Sequence, residues 1–151
     1  MKREEVDLTL FKKVCDEVCS TEKYQSLKNY VAHGRISVYA HSLRVAERSY
    51  AYAITHRVKC DIVSLIRGAL LHDYFLYDWH KLPKFSFHGY THAKTAMENA
   101  SKDYDLNEKE KNIIYSHMFP LNLFHFPKCK EAWIVLWQDK LCALKETVCE
   151  R

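Results

Sequence analysis

The stretch DIVSLIRGALLHDYF, residues 61–75, decides how this chain folds. Asp61 is placed to cap a helix, because a carboxylate at this position accepts hydrogen bonds from free backbone N–H groups. The helix is predicted to end on His72 and Asp73, so two adjacent residues of a rigid backbone offer one nitrogen and one oxygen atom as possible metal ligands. The apolar residues between are spaced like one face of an α-helix: Ile62, Leu65, Ile66, Ala69 and Leu70.

Helical spacing extends from this stretch in both directions. It predicts helices over residues 3–19, 36–56, 91–102, 107–118 and 130–146, and a shorter helical segment within 20–31. In helix 36–56 the predicted inward face is Val38, His41, Val45, Ser49 and Tyr52. In the last helix the predicted core side is Trp133, Leu136, Trp137, Leu141 and Leu144. Residues 74–90 lose the helical period and contain Pro83 and Gly89, which predicts a loop or lid.

Length and composition favour one all-α domain. The 151 residues include only 3 Gly and 3 Pro, too few for the many tight turns of a sandwich or barrel. We expect a single compact domain of about six helices over residues 1–151, in which residues 36–146 form the core and residues 1–35 pack on it.

The charge and the cysteine content limit the cellular compartments and the classes of binding partner that fit this chain. The net charge of +4 is spread over helical faces, which accommodates a small anionic substrate and does not indicate DNA or RNA binding. The 6 cysteines contain no C-x-x-C pair and are expected to be reduced and mostly buried. The charged N-terminus and the absence of a long apolar run predict a cytoplasmic protein without membrane contact. A homodimer remains open.

Six potential metal ligands are distributed along these helices: His41, His72, Asp73, His92, His117 and Asp139. Imidazoles and carboxylates are costly to bury without a partner, and they are the ligands that first-row divalent metals prefer. If they converge, the chain binds one or two divalent cations, with iron or manganese favoured and zinc, cobalt or magnesium as alternatives. His88 lies four residues before His92 and competes with it for the same role.

The order of these ligands resembles the HD superfamily of metal-dependent phosphohydrolases. The matching segments are HSLRVAERS from His41, GALLHD ending at Asp73, and VLWQDKLCAL around Asp139. This resemblance implies a helical fold and a first metal held by His41, His72, Asp73 and Asp139. HAKTAMENA and IIYSH are similar to segments of the dinuclear branch, which implies that His92 and His117 hold a second metal and share Asp73.

The resemblance implies hydrolysis of a phosphate ester, such as a nucleotide, by a metal-bound hydroxide, with Asp73 shared between the two metals. The chain reads His-Asp-Tyr-Phe at residues 72–75 and so lacks the lysine found after this motif in many relatives. His117 is followed by Met-Phe-Pro, which disfavours a cyclic dinucleotide substrate. Two alternatives stay open: a di-iron oxygenase acting on a small organic substrate, and an inactive module that binds metal or nucleotide.

Candidates for contacts to the phosphate are Lys81, Lys84 and Arg44, and His80 or His88 could protonate the leaving oxygen. The loop's aromatic residues have two interpretations, a wall that stacks on a nucleobase or a hydrophobic cluster that anchors a long connection. They are Tyr74, Phe75, Tyr77, Trp79, Phe85, Phe87 and Tyr90.

Overall fold

The computed structural model describes residues 3–78 and 88–149, and within these ranges the chain forms seven α-helices and one short hairpin. The all-α prediction is confirmed. In chain order the elements are α1 Arg3–Cys19, α2 Glu22–Gln25, a 3₁₀ helix Ser26–Asn29, β1 Val31–His33, β2 Ile36–Ser37, α3 Val38–Thr55, α4 Ile62–Leu71, α5 His88–Asp103, α6 Glu108–Ser116 and α7 Lys130–Cys149. Within the described ranges, every helix falls short of the length and apolar character that crossing a bilayer requires.

The hairpin β1–β2 differs from the sequence prediction, which placed helix at residue 31 and again from residue 36. Gly34 has a φ of 58°, a left-handed turn conformation that costs glycine little, and it lets His33 pair with Ile36 in an antiparallel register. The side chain of Ser37 then accepts a hydrogen bond from the Ala40 N–H at 3.1 Å, so α3 begins at Val38. The turn therefore sets where the helix carrying His41 starts.

Helix α4 is the centre of the fold and packs against α1, α3, α6 and α7. The predicted cap is confirmed, because the Asp61 carboxylate accepts the Ser64 N–H at 3.0 Å. Most apolar side chains of α4 lie in the core, with full burial of Leu65, Ile66, Ala69, Leu70 and Leu71, whereas Val63 is exposed. His72 is the C-cap, so the end of the most buried helix lies inside the molecule.

Helix α6 begins with the predicted capping box. Asn107 accepts the Glu110 N–H at 2.9 Å, and the Glu110 carboxylate accepts the Asn107 N–H at 3.3 Å. Glu110 is buried and also accepts a hydrogen bond from Arg67 Nε of α4 at 2.9 Å. These contacts fix α6 against α4, and α6 ends at its C-cap, His117.

The core side of α7 was predicted wrongly. Trp133, Trp137, Leu141 and Leu144 are exposed, whereas Leu136 is buried as expected. The buried side carries apolar residues together with polar ones whose partners lie on other helices: Glu131, Ala132, Ile134, Val135, Leu136, Gln138, Asp139, Cys142 and Glu146. Hydrophobicity alone therefore selects the wrong side of this helix. Tyr52, predicted to face inward on α3, is also exposed.

The cysteines are all free thiols, but the expectation that most are buried is wrong. Cys19 and Cys142 are buried, Cys149 is exposed and the other three are half-buried. Burial raises the pKa of Cys142 to about 11, which keeps this thiol protonated and poorly nucleophilic at neutral pH.

Gly68 allows α4 and α6 to approach closely. A Cβ atom at this position would lie 2.6 Å from Ile113 Cδ1 and 2.8 Å from Ile113 Cβ. We expect Gly68→Ala to destabilise the protein by about 1–3 kcal/mol, because overpacking outweighs the gain of roughly 1 kcal/mol in helix propensity. Urea unfolding measures this change.

The double variant Gly68→Ala/Ile113→Ala separates overpacking from other effects. Its loss of stability should be smaller than the sum of the two single losses, since the clash is partly removed. Additive losses would show that the close approach of α4 and α6 does not constrain position 68.

Candidate metal centre

Four of the predicted ligands meet at one point inside the helical core. His41 comes from α3, His72 and Asp73 from the end of α4, and Asp139 from the middle of α7, and all four are buried. Asp139 Oδ1 lies 2.8 Å from His41 Nε2 and 3.2 Å from His72 Nε2. Asp73 Oδ2 lies 3.3 Å from His72 Nε2 and 3.6 Å from His41 Nε2. We call this group the first cluster.

Asp73 also belongs to a second cluster with His92 of α5 and His117 at the end of α6. Its Oδ1 atom lies 3.4 Å from His92 Nε2 and 3.3 Å from His117 Nε2. The two Nε2 atoms are 2.9 Å apart, and both rings are buried. The two carboxylate oxygens of Asp73 are thus divided between the clusters, Oδ2 facing the first and Oδ1 the second.

The donor atoms are spaced as ligands around a cation would be. With metal–ligand bonds of about 2.1 Å, neighbouring ligands are about 3.0 Å apart at right angles and about 3.4 Å apart in a tetrahedron. The pairs above span 2.8 to 3.6 Å. In each cluster the possible ligand atoms lie within 4.8 Å of one another. The residues present therefore fit one divalent cation in each cluster.

Backbone carbonyls fix the orientation of two imidazoles. His72 Nδ1 donates to the Ala69 carbonyl at 2.6 Å, and His117 Nδ1 donates to the Ile114 carbonyl at 2.7 Å. Each acceptor lies three residues earlier in the last turn of a helix, where carbonyls lack an intrahelical partner. Donation through Nδ1 leaves the lone pair on Nε2, the atom that faces the cluster.

Glu146 of α7 orients the His41 ring, and the sequence analysis missed it. His41 Nδ1 donates to Glu146 Oε2 at 2.7 Å, and the Glu146 side chain is only 1% exposed. The partners are 105 residues apart, and Glu146 lies at the predicted end of the last helix, outside its predicted core side. A signal existed in the helical period, since Glu146 lies seven residues, or two turns, after Asp139 and so on the same side of α7.

Arg44, predicted as a phosphate contact, lies on the other side of the His41 ring. Its Nη1 atom is 3.6 Å from Glu146 Oε1, whereas Asp73 and Asp139 face His41 Nε2. The structure therefore places Arg44 behind the orienting carboxylate. Its contact with substrate stays a prediction.

The other predicted site residues are only partly described. His92 converges on Asp73, whereas the His88 side chain, together with His80, Lys81 and Lys84, lies outside the described residues. At the start of the aromatic segment, Tyr74 and Phe75 are buried. Tyr74 donates to Asp103 at 2.9 Å, which favours an anchoring role for this part of the segment. Tyr77 contacts Phe75 with ring centroids 4.9 Å apart, and the side chains of Trp79, Phe85, Phe87 and Tyr90 lie outside the described residues.

The histidines of the first cluster hold their protons tightly when no cation competes. Burial lowers the pKa of His41, but hydrogen bonds to Asp139 and Glu146 outweigh burial and raise this pKa to about 9. Burial is likewise outweighed at His72, where the charges of Asp73 and Asp139 raise the pKa well above its usual value. Despite burial, the adjacent histidines lower the pKa values of both carboxyl groups well below the usual range. Protons and cations therefore compete for the same Nε2 atoms.

His117 behaves differently. Burial lowers the pKa of its imidazole, and the carboxylate of Asp73 offsets this only in part. A neutral His117 offers a lone pair to a cation at neutral pH without first losing a proton.

We expect Glu146→Gln to lower the pKa of His41 from about 9 towards 6.5, because one of the two carboxylates hydrogen-bonded to its ring loses its charge. A raised pKa stabilises the fold fully below about pH 6.5, and this contribution is lost as the pH rises through about 9. Metal-free wild-type protein should therefore lose more stability over this interval than the variant. Imidazole NMR titration and urea unfolding, both with a chelator, measure the two effects.

Glu47→Gln is the matched control, since Glu47 is an exposed carboxylate on the same helix as His41. It should leave the titration of His41 unchanged. An unaltered pKa of His41 in Glu146→Gln would refute the role assigned to Glu146.

A comparison with protein families agrees with this geometry. The model of the HD domain matches residues 38–144, a range that contains all six residues of the two clusters and ends just before Glu146. No curated protein and no solved structure matches the chain significantly. Because the match covers well over half of the chain, this protein belongs to the HD domain family.

Proposed function

We propose that this protein is a metal-dependent phosphohydrolase that acts on a small phosphate ester such as a nucleotide. The family is mostly made up of metal-dependent phosphohydrolases, and the buried clusters can hold metal. The observation that carries the proposal is the division of Asp73 between the clusters, with Oδ2 towards His41 and His72 and Oδ1 towards His92 and His117. Such a carboxylate is suited to bridge two cations.

The proposed ligands follow from the distances. His41, His72, Asp73 and Asp139 would hold one cation, and Asp73, His92 and His117 would hold the other. Iron or manganese fits this nitrogen and oxygen donor set best, with zinc, cobalt or magnesium as alternatives. A bound divalent cation supplies a water of lowered pKa and a Lewis acid for a phosphoryl oxygen.

The exposure of the cluster residues indicates from which side a substrate would reach them. His41, His72 and His117 are closed off from solvent, whereas Asp73, His92 and Asp139 are each about 7% exposed. The substrate therefore approaches from the side of these three residues. Lys81 and Lys84, which lie between Asp73 and His92 in the sequence, are the proposed charges that offset the phosphate.

Glu146 is a positioning residue in this proposal. Its carboxylate holds the Nδ1 proton of His41 and so keeps Nε2 directed at the first cluster. Arg44 in turn faces the second oxygen of Glu146, which supports a role in holding that carboxylate in place.

The test of the proposed function is phosphate release from a panel of phosphate monoesters, nucleotides and diesters with manganese, iron, cobalt or magnesium. We expect metal-dependent release from at least one class, abolished in His72→Ala. His56→Ala is the matched control, because His56 is exposed at the end of α3 and far from the clusters in the fold.

The same donor set also suits a di-iron centre, so an oxygenase is the second candidate. Oxygen uptake by the iron-loaded protein discriminates between the two reactions. If oxygen consumption depends on an organic substrate and no phosphate is released from the panel, the protein is an oxygenase and the proposed phosphohydrolase activity is refuted. Binding of nucleotides without any turnover would instead indicate an inactive binding module.

We expect three ligand variants to differ in metal content. Asp73→Ala should lose both cations, because one carboxylate serves both clusters, whereas Asp139→Ala should lose the first cation and His117→Ala the second. Elemental analysis after dialysis against the metal measures this.

Asp105→Ala is the matched control, since Asp105 is an exposed carboxylate outside both clusters. It should bind as much metal as the wild-type protein. Equal metal content in Asp73→Ala, Asp139→Ala and His117→Ala would contradict the ligand assignment.

A further inference from the structure

Helix α7 presents an apolar stripe to solvent along most of its length. The five residues of this stripe are each 42% to 63% exposed: Trp133, Trp137, Leu141, Leu144 and Val148. They are spaced by four, four, three and four residues and so lie on one side of the helix, over about 22 Å. This is the spacing by which helices pack against other helices.

The connection before α7 extends the apolar surface. Four of its apolar residues are 46% to 89% exposed: Leu121, Leu123, Phe124 and Phe126. The connection meets the stripe where the ring of Phe119 packs edge-on against Trp133, with centroids 5.9 Å apart. The stripe and the connection therefore adjoin at the N-terminal end of α7.

The size of this surface matches a dimer interface. If a large apolar side chain exposes roughly 150–250 Å² when free, the stripe leaves about 500 Å² open and the connection about as much again. A standard stable interface buries about 800 Å² on each partner, and the largest apolar patch on a monomer is usually about 300–600 Å². The combined surface exceeds what a monomer normally exposes and suffices for a stable contact.

We propose that this combined surface, the stripe of α7 with the adjoining connection, docks against the same surface of a second copy, with the two α7 helices antiparallel about a two-fold axis near Leu141. A two-fold axis pairs a surface with itself, so one apolar stripe satisfies both partners. The bulky residues Trp133 and Trp137 lie at one end of the stripe and the smaller Leu144 and Val148 at the other. The antiparallel arrangement places the bulky end of each copy against the slim end of the other and keeps the helices in contact.

The dimer leaves the metal clusters accessible. Asp139 lies on the side of α7 opposite to Leu141, since two residues advance the helix by about 200°. The contact therefore covers the outer side of α7, whereas the inner side keeps its place in the first cluster.

The test is the mass of the full chain in solution, by light scattering and sedimentation at micromolar concentration. We expect twice the 17.9 kDa of one chain for the wild-type protein. The variant Trp137→Lys/Leu144→Lys should be monomeric with unchanged helical circular dichroism, because it places like charges across the contact. Leu8→Lys is the matched control, since Leu8 is an equally exposed apolar residue on α1, and it should remain dimeric.

The direction of the helices has its own test. In an antiparallel contact Trp137→Lys/Leu144→Glu places lysine near glutamate of the other copy, so this variant should dimerise much more tightly than Trp137→Lys/Leu144→Lys. Equal dissociation of both variants would overturn the antiparallel arrangement.

Two results would overturn the dimer itself. The first is a monomeric wild-type protein across the concentration range, and the second is a dimer that persists in Trp137→Lys/Leu144→Lys. If the monomeric protein also sediments with phosphatidylserine vesicles, the stripe is assigned to a lipid surface instead.

Discussion

The whole structure depends on placing the carboxylates of Asp73 and Asp139 among four imidazoles inside a helical core. A buried charge is tolerated only if it is paired, and here both oxygens of Asp73 and Oδ1 of Asp139 each have a histidine nitrogen within about 3.6 Å. The partners come from α3, the end of α4, α5, the end of α6 and α7. Five separate elements must therefore be in place before these charges are compensated, which couples the packing of the helices to the chemistry of the site.

Two helix ends supply half of the cluster residues, His72 and Asp73 after α4 and His117 after α6. His72 and His117 are C-caps, and each uses a free carbonyl of its own last turn to hold its ring. Gly68 lets α4 and α6 approach closely enough for the two ends to meet at Asp73. The lengths of α4 and α6 therefore place His72, Asp73 and His117 next to one another.

The sequence predicted the helices and singled out the six residues that converge in the two clusters, because apolar period and side-chain type are local signals. It failed where the deciding partner was distant. Glu146 carries no local mark of burial, and only its contact with His41, from another helix, explains why a carboxylate lies in the core. The exposed side of α7 was mistaken for the core because its tryptophans and leucines make it more hydrophobic than the buried side. The buried side carries polar residues such as Asp139 and Glu146, which contact histidines of the first cluster. The hairpin was missed because two short strands around Gly34 are too brief to establish an alternating pattern.

The two ways of holding imidazoles have different consequences for the evolution of this site. Main-chain carbonyls of Ala69 and Ile114 hold the rings of His72 and His117, and no change of a side chain at those two positions removes a carbonyl oxygen. His41 instead relies on a side chain, so a single codon at position 146 can retune it. A substitution of Glu146 can therefore change the pKa and the orientation of His41, and so adapt the first cluster to a different cation, without replacing any residue that would contact the ion.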